Sequence, residues 1–251
     1  MSGTAGVVVD DRAPDRVLVV LDRPGTRNAI GRETVDALHD VCAALEREPR
    51  VLVLSGAGGV FASGADIREL RERRRDDALA GINSRLFDRI AALPLPVIAV
   101  VDGWALGGGA ELAYAADFRI ASPSARFGNP EASLGIVAAA GATWRLRDLV
   151  GEPLAKEILL AGRVLSAEEA LAHGLVSAIH PADELTAAAD ALADRILRND
   201  LTALRLTKAL LRMPRGAHPA VDDLAQAVLF ESEAKRERMT AFLERRAGGG
   251  R

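Results

Sequence analysis

The stretch Gly103-Trp-Ala-Leu-Gly-Gly-Gly-Ala-Glu111 follows the β-branched run Val97 to Val101, which reads as a strand apolar on both faces. Its three consecutive glycines place bare backbone N–H groups at the start of a helix, where the first donors lack partners and the dipole favours negative charge. A second glycine turn, Phe61-Ala-Ser-Gly-Ala-Asp-Ile67, follows the strand-like run Val51 to Leu54. One donor from the glycine triplet and one from the turn around Ala65 would make an oxyanion hole, which needs two donors converging on one oxygen. The same glycines would equally serve tight strand-to-helix packing, and spacing leaves both readings open.

Two carboxylates stand next to this equipment. Glu111 lies three residues after Gly108, so on a helix its side chain shares a face with that glycine's backbone. Twenty residues on, Glu131 sits in Phe127-Gly-Asn-Pro-Glu-Ala-Ser-Leu-Gly135, an acid among Pro, Ala and Leu. Burial there would raise its pKa and suit it to giving a proton. Two acids with an oxyanion hole are the equipment for proton transfer beside a carbonyl, through an enolate.

Further β-branched runs at Val7 to Val9, Val17 to Leu21 and Phe118 to Ala121 predict strands. Helical stripes alternate with them: Val35, Leu38, Val41, Cys42 and Leu45, then Leu185, Ala189, Leu192 and Ile196. Ser166 and Glu169 form a capping-box pattern for a short helix that Gly174 would end. From about Pro153 the chain reads mostly helical. The sequence therefore predicts an α/β core over the first 150 residues, a helical C-terminal part, and a disordered tail from Ala247 to Arg251.

With 49% hydrophobic and 27% charged residues and a net charge of -3, the 251-residue chain is of the globular class. Aromatics make up only 4%, while 47 Ala and 23 Gly predict a core of small side chains and close backbone contacts. Net acidity argues against a general nucleic-acid footprint. The mixed-sign run Arg68 to Asp77, RELRERRRDD, reads as a solvated helix face. The lone Cys42 excludes an intramolecular disulfide and reads as a buried, inert thiol. No nucleophile elbow, His-Glu-x-x-His or Cys-x-x-Cys is present, so no metal site is expected, and His39, His173, His180 and His218 lack ligand spacing. Gly56 and Gly58 miss the third glycine of a dinucleotide fingerprint. No stretch reaches the roughly 20 apolar residues of a membrane helix. The N-terminus lacks a basic-then-apolar signal pattern, which reads as cytoplasmic.

Taken in order, these motifs resemble the enoyl-CoA hydratase/isomerase (crotonase) superfamily. The resemblance takes in Leu21-Asp-Arg-Pro24 with Asn28-Ala29, the two glycine turns, Ala116-Asp117, Phe127 to Glu131, Gly174-Leu-Val176 and Met239 to Arg246. It implies a spiral of ββα turns over residues 1–190 and a C-terminal helical trimerisation region over 191–251, giving a homo-trimer or dimer of trimers. It implies an acyl-CoA substrate, with coenzyme A part of that substrate and no separate cofactor. Matched residue by residue, the oxyanion-hole donors fall on the N–H groups of Ala65 and Gly108, and the hydratase acids on Glu111 and Glu131. The CoA-holding segment falls on Ser63, Gly64, Ala65, Asp66 and Ile67, with the phosphate-contacting position on Arg68. Trp104, Ala138, Ala139 and Trp144 border the implied acyl pocket.

Two positions depart from the family pattern. Ala138-Ala-Ala-Gly-Ala-Thr143 replaces the usual Pro-Gly-Ala-Gly-Gly-Thr, in a segment that lines the acyl pocket and helps hold water, and Arg238 replaces a glycine. The expected reaction is syn addition of water to a 2-enoyl-CoA. Isomerisation or hydrolysis of a thioester enolate stays open beside it, as does a non-catalytic scaffold or RNA-binding role through Arg71 to Arg75.

Overall fold

The computed structural model describes residues 2–4, 6–11 and 13–248. Close contacts divide it into two units, with the division falling between Arg195 and Ile196.

In the first unit, seven strands form one sheet, in the order β1 (Ser2–Thr4), β2 (Val7–Asp10), β3 (Arg16–Leu21), β4 (Val51–Gly56), β6 (Val97–Val101), β8 (Phe118–Ala121) and β11 (Ala178–Ile179). β1 to β3 are antiparallel, and every pairing from β3 to β11 is parallel. Four short strands make a second sheet, in the order β10 (Leu165–Ser166), β9 (Arg126–Gly128), β7 (Trp104–Leu106) and β5 (Val60–Ala62).

The chain alternates between the sheets. β4 enters the large one and β5 the small one, followed by helices α2 (Ile67–Glu72), α3 (Arg75–Ala80) and α4 (Ile82–Ala91). β6, β7 and α5 (Gly108–Tyr114) repeat the unit, and β8 and β9 open a third turn. This is the ββα spiral that the resemblance implied. β6 is buried along its whole length, as a central parallel strand covered on both faces must be, whereas β3 alternates and buries one face.

Helix α1 (Arg32–Arg47) buries Val35, Leu38, Cys42 and Leu45 of the stripe read from the sequence, and its fifth member, Val41, is partly buried. Burial pushes the Cys42 thiol up to about 12, which keeps it protonated. The later helices of this unit are α6 (Arg147–Val150), α7 (Glu152–Ala161), α8 (Ala167–Ala172) and α9 (Leu185–Leu197), the last of which crosses the boundary between the units. The predicted capping box opens α8: Ser166 Oγ accepts from Glu169 N–H while the Glu169 carboxylate accepts from Ser166 N–H.

The second unit carries α10 (Leu201–Leu211), α11 (Ala220–Phe230) and α12 (Glu233–Gly248). The chain after Pro153 is mostly helical, as the sequence predicts, but the two-residue strands β10 and β11 extend the two sheets, so the strand-bearing core does not end at the expected residue 150. The expected disordered tail also begins too early: α12 takes in Ala247 and Gly248, and Gly249 to Arg251 lie outside the described residues.

Candidate active site

The site forms where the two glycine turns meet. Beyond β5, Gly64 takes φ +110°, and the chain lies parallel to Ile30: Ile30 N–H donates to Gly64 O at 2.8 Å, and Asp66 N–H to Ile30 O at 3.2 Å. In a parallel bridge those two bonds belong to the residues flanking Ala65, so the N–H of Ala65 faces the other way. Asn28 fixes this arrangement. Fully buried, it accepts from Arg23 N–H and donates to the carbonyls of Ala57 and Val60, at 2.9 and 2.7 Å for the latter pair.

The three glycines after β7 have three different tasks. Gly107 adopts φ 51°, ψ −126°, a conformation that side chains reject, and this swings the chain into α5. A methyl group on Gly109 would lie 2.2 Å from the carbonyl oxygen of Ala62, so this glycine lets α5 press against β5. Gly108 is different: a methyl there meets nothing closer than the Ala65 nitrogen, at 3.4 Å. The two glycines therefore differ in their surroundings. Gly109 serves packing, while Gly108 opens a small space bounded by the backbone of Ala65.

Glu111 follows one turn along α5 and is almost fully buried. Its Oε1 accepts two backbone hydrogen bonds, from Ala140 at 2.8 Å and Ala142 at 3.0 Å. Burial nevertheless dominates and, with repulsion from Glu131, raises its carboxyl to about 7 against those donors and Arg145. Glu131 lies in the 3-10 turn Pro130–Leu134 and is also buried, and burial raises its pKa as well. Its Oε1 would sit 3.1 Å from a methyl on Gly107 and accepts from Asn129 Nδ2 at 3.4 Å, while Oε2 has no hydrogen-bond partner among the described residues. Both acids thus combine burial with donors that favour the carboxylate, two backbone N–H groups at Glu111 and the Asn129 amide at Glu131, whose other oxygen has no partner among the described residues.

A cavity of about 320 Å³ leads away from Glu131 and Asn129, walled by Ile136, Ala138, Ala155 and Leu159, with Arg147, Glu152 and Lys156 also on its lining. Of the four expected pocket residues, Ala138 lines it and Trp104, Ala139 and Trp144 do not. Trp104 starts β7 and is about half exposed; Trp144, equally exposed, lies under the Arg145 guanidinium, 4.0 Å from ring centroid to carbon. In the Ser63 to Arg68 segment, Ser63 Oγ donates to Thr26 O at 3.1 Å, Asp66 caps α2 by accepting from Arg68 N–H, and the Ile67 and Arg68 side chains are exposed.

Sequence reasoning did not single out four residues that hold this site. Asn129 links Glu131 to the buried hydroxyl of Tyr114, which donates to its Oδ1 at 3.1 Å. Arg145, buried within a run of small apolar residues, pairs with Asp88 and donates to Ala140 O, bracing the loop that holds Glu111. Asn83 accepts from Arg73 through Oδ1, while its buried Nδ2, near Gly108, has no hydrogen-bond partner among the described residues. A buried polar residue in an apolar run was the available signal for the first three.

A two-sheet ββα spiral that sets the small-residue turns of Ala65 and Gly108 face to face, beside two buried carboxylates, defines the crotonase class of proteins. The family model for enoyl-CoA hydratase/isomerase matches residues 15–248. The chain belongs to that family. It is 37% identical over 243 residues to the short-chain-enoyl-CoA hydratase of Clostridium acetobutylicum, covering 91% of each chain. It is 36% identical over 248 residues to the crotonyl-CoA hydratase of Syntrophomonas wolfei, covering 95% of each. The crystal structure of an enoyl-CoA hydratase from Bacillus anthracis superposes with a TM-score of 0.89 at 32% identity, covering 96% of each chain.

Proposed function

We propose that this protein hydrates 2-enoyl-CoA thioesters. The observation that carries the reading is the pair of buried, electrostatically coupled carboxylates, Glu111 and Glu131, set beside the Gly107–Gly108 backbone. The thioester oxygen would lie between the N–H groups of Ala65 and Gly108, each worth on the order of 3 kcal/mol to the enolate. Glu111 takes a proton from water as its oxygen bonds to C3, the π electrons move through C2 to the thioester oxygen, and Glu131 delivers a proton to C2. Glu111 ends with the proton that Glu131 has lost, and exchange with solvent resets the pair. The balance needs no redox or metal partner, so coenzyme A enters only as part of the substrate.

The cavity beside Glu131 is suited to the acyl chain by its apolar walls, and the exposed Arg68 to a CoA phosphate by its guanidinium fork. Exposed Leu211, Leu224 and Leu243 in the C-terminal unit support self-association as a trimer or dimer of trimers. Among the described residues no helix is long and apolar enough to cross a membrane. RNA binding through Arg71 to Arg75 is disfavoured: Arg71 and Arg75 pair with Glu72 and Asp76, and Arg73 turns in to Asn83.

Crotonyl-CoA is the test substrate, followed by loss of its conjugated-thioester absorbance. Wild type should hydrate it, and Glu131→Gln should lower kcat by about 100-fold or more. Full activity in that variant, or turnover of 3-enoyl-CoA alone, would replace hydration with another enolate reaction.

A further inference from the structure

Asn83, the second residue of α4, is 9% exposed. Its Oδ1 accepts from Arg73 Nη1 at 3.0 Å. A guanidinium can only donate, so this contact fixes which end of the amide is oxygen and turns Nδ2 to the opposite side. There Nδ2 has no hydrogen-bond partner among the described residues. A methyl built on Gly108 would lie 3.8 Å from Asn83 Nδ2 and 3.4 Å from the Ala65 nitrogen. The small space in front of Gly108 is therefore bordered by a side-chain amide as well as by backbone. A buried donor without an acceptor is costly, and the fold holds this one in place instead of turning it to solvent. Arg73 is itself steadied by Glu69, 4.0 Å away, whose carboxylate also accepts from Arg32 N–H.

We propose that Asn83 Nδ2 is a third donor to the thioester oxygen, beside the N–H groups of Ala65 and Gly108, with Arg73 as the residue that positions it. The proposal rests on the acyl-CoA reading of the site. Because charge grows on that oxygen as the enolate forms, a third donor strengthens in the transition state and acts on kcat more than on KM.

The decisive variant is Asn83→Asp, isosteric and still able to accept from Arg73, but with oxygen where the donor stood. Two readouts are taken: crotonyl-CoA kinetics, and the carbonyl stretch of bound butyryl-CoA, which carries the same thioester but has no double bond to hydrate. The expected result is a fall in kcat of about 100-fold with KM little changed, and a carbonyl stretch shifted back toward its solution value. Asn83→Leu, which removes the amide without adding charge, should repeat the spectral shift should the Asp variant not fold. Arg73→Gln should give a smaller change in the same direction. An unchanged stretch and kcat in a folded Asn83 variant would overturn the proposal, as would a wild-type protein that leaves the butyryl-CoA carbonyl unpolarised. A wild type that polarises butyryl-CoA through Asn83 but does not hydrate crotonyl-CoA would overturn the hydratase reading and leave this one standing.

Discussion

Ala142 donates its backbone N–H to Glu111 Oε1 at 3.0 Å from 31 residues further along the chain, and Ala140 donates to the same oxygen. The alanine-rich segment Ala138 to Thr143, where this chain departs from its family's pattern, thus meets Glu111 through main chain. The donors survive a change of side chain. Deleting one is another matter: Ala140→Pro removes an N–H that favours the carboxylate, so the Glu111 pKa should rise further. A smaller share of Glu111 is then ionised, as the base must be, so kcat at pH 7 should fall by up to about tenfold for every unit that its pKa rises. Initial rates across pH, with circular dichroism to confirm folding, check this.

Neighbouring glycines should fail in opposite ways. A methyl on Gly108 clears every neighbour by 3.4 Å or more but enters the space before the Ala65 N–H, so Gly108→Ala should keep its melting temperature and lose roughly 100- to 1,000-fold in kcat. A methyl on Gly109 would sit 2.2 Å from Ala62 O, a backbone atom with little room to yield. Gly109→Ala should therefore cost stability, on the order of 3 kcal/mol, by driving α5 off β5. Thermal melts and kinetics on the two variants separate the tasks.

Much of the first layer of structure was legible because it is local or periodic. The runs at β3, β4, β6 and β8, the α1 stripe and the Ser166–Glu169 box all declare themselves within a few residues. The second sheet does not. β5, β7 and β9 have three residues each, too short for a period of two to show; β7 lies inside one glycine turn and β5 runs into the other. Glu131 stood out as an acid among apolar residues, and Glu111 by its helical spacing from Gly108. Arg73 did not, because a charge run at helical spacing reads as a wet surface; the chain instead breaks between α2 and α3 and turns Arg73 in to Asn83, a contact no pattern along the sequence encodes. Proximity to Gly103 and Ala142 in sequence likewise does not put the rings of Trp104 and Trp144 on the lining of the cavity beside Glu131.

Stability should carry the mark of Glu111. Its folded pKa, about 7, lies above the ordinary 4.5, so between these values the folded state binds a proton that the unfolded chain has released. Stability from this group is fully present below about pH 4.5 and is lost as pH rises through about 7, an effect on the order of 3 kcal/mol. Glu111→Gln keeps an oxygen for Ala140 and Ala142 and removes the titration. The variant should melt higher than wild type at pH 8, with the difference shrinking toward pH 5, while its hydratase activity falls by about 100-fold or more. Parallel melts at the two pH values test the sign directly.

The chain from Tyr114 through Asn129 to Glu131 gives the complementary test on the other acid. Asn129 Nδ2 donates to Glu131 Oε1 at 3.4 Å and holds the Glu131 pKa below the level that burial alone would set. Its opposite end is fixed by the Tyr114 hydroxyl at 3.1 Å. Removing the amide in Asn129→Leu should raise the Glu131 pKa further, so the acid stays protonated to higher pH. kcat should fall by about tenfold as the carboxyl loses its tether. Tyr114→Phe leaves Asn129 in place but free to turn, and should give a smaller loss. Initial rates across pH on both variants, with melts to confirm folding, check this. A profile displaced identically by Asn129→Leu and by Ala140→Pro would mean that Glu111 and Glu131 titrate as one shared site, with the proton passing between them during turnover.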